Sequence, residues 1–300
     1  MEKLKTLIVG FGVQGKKRSK LLKKKMFITV DKKNNADFSD IKKVPVNDYN
    51  NVFICTPDNQ KEEIIKYCLK KNKNILVEKP LNLNLKNIEA IEKKAKKNKI
   101  KFYTAYNHRF EPHILEIKKI LNEKKIGKVY YVKIFYGNGT AKLVNKSWRD
   151  KKYGIISDLG SHLLDLSYFL FGEKIGSFAI SQKKSLENNN YDFISLINKK
   201  SQIPIQLEMT YCMWKNSFSL DILGSKGSIN MRNLCKWGPS ELSVGQRVFP
   251  SGIPIMNKKI LKINDPTWRL EHNFFFNKKY NPKYFFKRDK WISKQVKNLG

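Results

Sequence analysis

Two carboxylates and an imidazole stand at helical spacing in Ser157-Asp158-Leu159-Gly160-Ser161-His162-Leu163-Leu164-Asp165. On a helix, residues four apart share a face, so Asp158 and His162 fall one turn apart, and Asp165 lies further along the same side. A carboxylate beside an imidazole fixes its tautomer and makes it a better proton acceptor. That is general-base chemistry near neutral pH. The plainer alternative is an amphipathic helix whose His and Asp are ordinary hydrogen-bonded residues. The apolar run Leu166–Phe171 completes the helix. Ser157 or Asp158 is expected to cap its start, and Gly172 to end it.

A second constellation lies near the N-terminus. The apolar stretch Leu4–Val9 reads as a strand, Gly10-Phe11-Gly12-Val13-Gln14-Gly15 follows at once, and Lys16–Leu22 continues as a helix. In strand, GxGxxG, helix, the first glycine permits the tight turn and the second lets the backbone approach a pyrophosphate. The third lets helix and strand pack closely. The glycines alone would be weak evidence; the flanking elements give them weight. A second strand, Met26–Val30, ends at Asp31, placed to accept hydrogen bonds from an adenosine ribose. Its charge would repel a 2′-phosphate, which favours NAD over NADP, although Lys32 and Lys33 directly after it oppose that preference. Asp31→Ala is therefore expected to weaken NAD more than NADP. The alternatives are a structural glycine turn and a solvated loop acid.

The elements that must carry these groups follow from periodicity. Asn51–Pro57, ending in a Pro turn, Asn74–Val77 and Lys101–Ala105 read as buried parallel strands; Lys61–Lys71 and Leu85–Asn98 read as helices between them. Between Asp31 and Asn51 there is little helical periodicity, so the crossover helix there is expected to be short or missing. This alternation predicts an α/β N-terminal domain with a doubly wound parallel sheet, of the Rossmann type. After a helix at Pro112–Asn122 the pattern changes. Strand-like runs at 129–136, 177–181, 192–198, 205–211, 218–223 and 228–231 predict an α+β C-terminal domain on a mainly antiparallel open sheet. The boundary is placed at residue 115, giving domains 1–115 and 116–300, the second with a short C-terminal part. The aromatic, basic tail from Asn273 is expected to be a final helix packing back on the body.

Composition narrows the function classes. The chain has 300 residues, 41% of them hydrophobic. No stretch is long and apolar enough for a transmembrane span, and the N-terminus lacks signal-peptide shape, so a cytoplasmic protein without membrane partners is expected. Cys55, Cys68, Cys212 and Cys235 form no CxxC pair and read as reduced thiols, with no metal site. The formal charge is +34, but nearly all of the 60 basic residues are Lys spread along the chain. That argues against a nucleic-acid partner, which would favour an Arg-rich face. A positive field would still attract anionic ligands.

With these residues in view, the chain resembles the Gfo/Idh/MocA family of sugar and inositol oxidoreductases, over about residues 4–231. The resemblance rests on the glycine turn, Thr56-Pro57, Glu78-Lys79-Pro80, Tyr106-Asn107-His108-Arg109-Phe110 with Pro112, Trp148-Arg149-Asp150, and Asp158-x-Gly160-x-His162-x-x-Asp165. It implies a catalytic-site lysine at Lys79, near a nicotinamide and the reacting hydroxyl, and an acid/base pair at Asp158 and His162. It implies cofactor contacts at Thr56, Pro57, Glu78 and Lys79, and places Asn107, Trp148 and Arg149 at the substrate cleft with Asp158 and His162. It also implies a homodimer or homotetramer. Where the family often has a histidine after Thr56-Pro57, this chain has Lys61.

The expected function is hydride transfer between NAD, or NADP, and a hydroxyl carbon of a sugar. A nucleotide sugar is the first expectation, since the positive charge suits an anionic substrate. A myo-inositol or free-sugar dehydrogenase is the alternative. From other classes come a non-catalytic dinucleotide-binding sensor, which lacks a use for Lys79, Asp158 and His162, and a nucleic-acid binder.

Overall fold

The computed structural model describes residues 5–23, 25–151, 154–277 and 281–300, with the Trp148 side chain also outside the description. The chain divides into two compact units: residues 1–106 with 268–293, and residues 107–267 with 294–300. The sequence reading placed one boundary near residue 115 and left everything after it in the second domain. The return of 268–293 to the first unit is the difference.

The first unit opens with β1 (Lys5–Val9), α1 (Val13–Ser19) and β2 (Phe27–Val30), then β3 (Tyr49–Ile54), α2 (Asp58–Lys70), β4 (Asn74–Glu78), α3 (Leu85–Lys97) and β5 (Phe102–Ala105). All neighbouring strands are parallel, in the order β2-β1-β3-β4-β5. The strands are near-continuous apolar runs because both faces of a parallel sheet are covered. Between β2 and β3 there are only two single 3-10 turns, Ile41–Lys43 and Val46–Asp48. Asparagines and Pro45 in that stretch offer the backbone turn geometry instead of a helix. The missing crossover helix matches the sequence expectation.

The second unit contains α4 (Pro112–Asn122), β6 (Val129–Gly139), α5 (Ala141–Val144), α6 (Ser161–Phe171), β7 (Ser177–Lys184), β8 (Phe193–Lys199), β9 (Ile205–Thr210), β10 (Cys212–Gly224), β11 (Gly227–Arg232), β12 (Ser240–Gln246) and β13 (Met256–Leu261). The eight strands run β13-β12-β11-β10-β6-β9-β8-β7. Pairings are antiparallel except β6 with β9, so the sheet is mixed. Helix α6 is buried almost all round, with Leu163, Leu164 and Leu166 fully inside and Ser161, His162, Asp165 and Ser167 as its polar side chains.

The chain ends with α7 (Thr267–Phe276) and α8 (Pro282–Leu299). Residues 268–293 complete the first unit. Phe275 and Phe276 set their edges against Phe53 of β3, and Phe285 meets Tyr103 of β5. Phe275, Phe285 and Phe286 are therefore core residues while Phe276 is exposed, and the tail forms two helices where one was expected; Tyr280 lies outside the described residues. No helix among the described residues is long and apolar enough to cross a membrane. The four cysteines are free, and no cluster of potential metal ligands occurs among the described residues.

Candidate active site

In the first unit the glycine turn joins β1 to α1. Gly10 has φ +90°, and a Cβ there would meet the Cys55 carbonyl carbon at 2.7 Å; a Cβ on Gly15 would meet the Gly10 carbonyl oxygen at 2.1 Å. Both glycines are fixed by packing. A Cβ on Gly12 would meet nothing within 4 Å. The middle glycine thus leaves open space beside the first turn of α1, whose leading amides have no partner within the helix. Thr56 adds a buried hydroxyl oxygen that has no hydrogen-bond partner among the described residues. Space at the turn and an unmet polar atom at the end of β3 fit the pyrophosphate and nicotinamide halves of a dinucleotide. Phe11, Val13, Gln14 and Pro57 line the same turns, with Val13 and Gln14 exposed.

Asp31 ends β2, but its carboxylate is already engaged. Oδ2 accepts from the Phe11 amide at 2.6 Å, and Oδ1 accepts from the Lys33 and Asn34 amides at 2.8 and 2.9 Å. Desolvation alone would raise its pKa; the amides of Lys33, Asn34 and Phe11 outweigh it and hold the carboxyl down to about 2. The sequence reading gave Asp31 to the ribose. It also ties the glycine turn to the loop after β2, and roughly one lone-pair position remains for a hydroxyl.

Glu78 and Lys79 lie at the end of β4. The Glu78 carboxylate accepts from Arg18 Nε at 2.8 Å. Arg18, buried on α1, also donates to Glu271 of α7 at 2.7 Å, and the Tyr103 hydroxyl donates to Glu271 at 3.2 Å. Burial opposes the Arg18 charge, but the two carboxylates hold it protonated, above the usual guanidinium range. Glu78 therefore locks β4 to α1. Lys61 of α2 is 2% exposed. Burial pushes its ammonium down; Asp58 and Glu78 work against that shift and Lys79 adds to it.

In the second unit, helical backbone begins before α6, and Ile156–Gly160 forms a π-helical turn. Ser157 and Asp158 are consequently inside a helical segment and do not cap it; Gly160, in right-handed helical geometry, precedes Ser161. The Gly172 stop is as expected, with φ +75°. Asp158 Oδ2 lies 3.1 Å from Arg149 Nε and accepts from the Tyr211 hydroxyl at 3.3 Å. Burial, with the Asp158 charge, raises the Tyr211 hydroxyl far above its usual pKa. Asp165 receives Arg109 in a two-pronged ion pair, Nε to Oδ2 at 3.1 Å, both side chains buried. Asp165 thus fastens the 3-10 turn Asn107–Phe110 to α6.

That fastening has a consequence for His162. His108, next to Arg109, stacks on the His162 ring with centroids 3.9 Å apart and planes at 21°, and Tyr136 of β6 meets His162 edge-on at 5.9 Å. Lys236, in the turn Cys235–Trp237, places Nζ 3.1 Å from His108 Nε2 and 3.1 Å from the Tyr136 hydroxyl. An ammonium has only donors, so His108 Nε2 accepts and its proton sits on Nδ1. Glu111, fully buried at the start of α4, holds this turn by accepting from the Cys235 amide at 3.3 Å. Burial raises the Glu111 carboxyl, with the Cys235 contacts opposing. Among the substrate candidates, Asn107 donates to the Thr267 hydroxyl at 2.7 Å and Arg149 holds Asp158. Trp148 begins a 3-10 turn, Trp148–Asp150, and its side chain lies outside the described residues.

Sequence reasoning missed Lys236 and the role of His108. His108 was visible in Asn107-His108-Arg109-Phe110, but nothing local indicates that Arg109 would pin it over His162. Lys236 is one lysine among many.

Residues 5–106 match the family model described as "Oxidoreductase family, NAD-binding Rossmann fold", and residues 114–230 match "GFO/IDH/MocA C-terminal domain". The inositol 2-dehydrogenase of Rhizobium meliloti is 28% identical over 196 residues, 62% of this chain and 58% of that protein. The myo-inositol 2-dehydrogenase of Thermotoga maritima is 26% identical over 124 residues, 41% of this chain and 36% of that protein. The matches thus span less than two thirds of either relative's length. Among solved structures, levoglucosan dehydrogenase in complex with NADH superposes with a TM-score of 0.78 at 18% identity, covering 98% of this chain and 97% of that one. An NAD-binding oxidoreductase from Klebsiella pneumoniae gives 0.79 at 16% identity, covering 99% and 96%. At these identities the superpositions establish the fold.

Proposed function

This chain belongs to the Gfo/Idh/MocA oxidoreductase family, and from that premise we propose that it is an NAD(P)-dependent dehydrogenase acting on a CH–OH carbon of a cyclic polyol or free sugar. The observation that carries the chemical half of this reading is the His162–His108–Lys236 cluster, a stacked imidazole pair with a lysine ammonium on its outer ring. Oxidising an alcohol requires a proton to leave oxygen and a hydride to leave carbon. A bound nicotinamide supplies the hydride acceptor. His162 takes the hydroxyl proton, and the Lys79 ammonium of the first unit is the group suited to stabilise developing negative charge. Asp158, held by Arg149 and Tyr211, keeps negative charge beside the turn that carries His162. Gly12 and Thr56 receive the cofactor, with Asp31 bracing the glycine turn and offering its remaining lone pair to a ribose hydroxyl.

A neutral polyol is favoured over the nucleotide sugar first expected, because the relatives above carry inositol dehydrogenase names. NAD is favoured over NADP because the Asp31 charge faces the adenosine end; against this, a related scyllo-inositol 2-dehydrogenase of Bacillus subtilis carries NADP(+) in its name. The test is appearance of reduced-nicotinamide fluorescence when the protein is mixed with NAD or NADP and a panel of inositols, free sugars and nucleotide sugars. Turnover on an inositol or free sugar supports the reading. Turnover confined to nucleotide sugars overturns the substrate choice, and cofactor binding without turnover on any member favours a sensor.

A further inference from the structure

The loop that carries Lys79 is gripped from α2. Lys61 Nζ donates to the Glu78 carbonyl at 2.7 Å and to the Pro80 carbonyl at 2.8 Å, the residues on either side of Lys79. Its third donor goes to Asp58 Oδ1 at 2.7 Å. The other oxygen of Asp58 accepts from the Asn82 side-chain amide at 2.5 Å, two residues beyond Pro80. All three N–H donors of the ammonium are therefore met by oxygen. Taking an ammonium out of water is costly, and a surface lysine at this point of α2 would avoid the cost. Here the charge is buried, and two of its three acceptors are the backbone carbonyls that bracket one residue. A bulkier apolar side chain would fill the space but could not hold carbonyl oxygens.

We infer that Lys61, with Asp58, is a positioning residue that fixes the backbone of Lys79 for its role at the reacting oxygen. The inference rests on the proposed role of Lys79 and names the device that presents it. The sequence Asp58-Asn59-Gln60-Lys61 sets the clamp on one turn of helix, since residues three apart share a face. Among the described residues no hydrogen bond of the clamp reaches the glycine turn, so its loss leaves the pyrophosphate end of the cofactor site in place.

The experiment compares wild type, Lys61→Met and Lys79→Ala in full-length protein. Three quantities are measured: kcat with NAD and myo-inositol, the Kd for NADH by fluorescence, and amide hydrogen exchange of the peptide spanning 76–84. A misplaced catalytic group costs on the order of 100-fold in rate. Lys61→Met is therefore expected to lower kcat by about 10- to 100-fold, a larger change than in the NADH Kd. Exchange of the 76–84 peptide should rise while the remainder of the first unit stays protected. Unchanged exchange in that peptide overturns the clamp, as does wild-type kcat in Lys61→Met when Lys79→Ala is impaired. Full activity in Lys79→Ala removes Lys79 from the chemistry; the exchange result then decides the clamp alone. Should Lys61→Met fail to melt cooperatively, Lys61→Gln, which keeps two N–H donors, is judged by the same criteria.

Discussion

Lys236 donates to Nε2 of His108 across 3.1 Å, and His108 in turn lies flat against His162. These residues come from a turn before β12, a 3-10 turn before α4, and α6. The contact assigns the His108 proton to Nδ1 and brings a cation to the outer side of the imidazole stack. The stack itself is held by the Arg109–Asp165 ion pair, one residue from His108 and three from His162.

Lys236→Met should release His108 Nε2 from its donor. Nitrogen NMR of labelled histidine is expected to show the Nδ1–H tautomer of His108 in wild type and a mixture in the variant, with kcat/KM lowered by about tenfold. An unchanged tautomer would show that the lysine does not set it.

Gly12 and Gly15 should part company. Gly12→Ala meets open space, so its Tm should stay close to wild type while NAD binding weakens by about tenfold or more. Gly15→Ala drives a Cβ to 2.1 Å from the Gly10 carbonyl oxygen and should destabilise the fold itself. Calorimetry and fluorescence titration of both variants separate the two roles.

Asp31 should affect both affinity and acid stability. Asp31→Ala loses the ribose acceptor and the brace on Phe11, so both cofactors weaken, NAD more than NADP because the repulsion of a 2′-phosphate is lost as well. A larger loss for NADP contradicts the cofactor choice. The folded pKa, about 2, lies below the ordinary carboxylate value. Its stabilisation is therefore present above the unfolded pKa and is lost as pH falls through about 4 towards 2. The Tm gap between wild type and Asp31→Asn should close over that window.

Glu271 is fully buried between Arg18 and Tyr103. Glu271→Ala leaves a buried guanidinium with Glu78 as its remaining carboxylate, and should cost about 3 kcal/mol in denaturant unfolding. A loss too small to measure would mean that Glu78 alone satisfies Arg18.

Much of this architecture is legible locally. The first sheet was readable because its strands are short apolar runs set between amphipathic helices, and the glycine turn because strand and helix flank it. What could not be read depends on partners distant in sequence. Strands β12 and β13 escaped because Ser240–Gln246 is weakly alternating and Met256–Leu261 is an almost wholly exposed, lysine-bearing edge. The return of 268–293 escaped because Phe275 and Phe285 look alike whichever body they pack on. At the candidate site, Asp158 and His162 were singled out by spacing, but the π turn Ile156–Gly160, which contains Asp158, altered the expected cap. Lys236 was hidden by composition, and Lys61, though noted where the family often has a histidine, carried no assigned role: in so lysine-rich a chain, only burial and contacts distinguish these two from the solvated ones.

In the proposed polyol oxidation His162 is the proton acceptor. The most direct measurement is single-turnover formation of NADH from NAD and the substrate found in the panel, comparing wild type with His162→Ala at saturating cofactor. The rate in the variant should be lower by about 100- to 10,000-fold, with NAD affinity nearly unchanged. A variant that forms NADH at the wild-type rate would remove His162 from the chemistry.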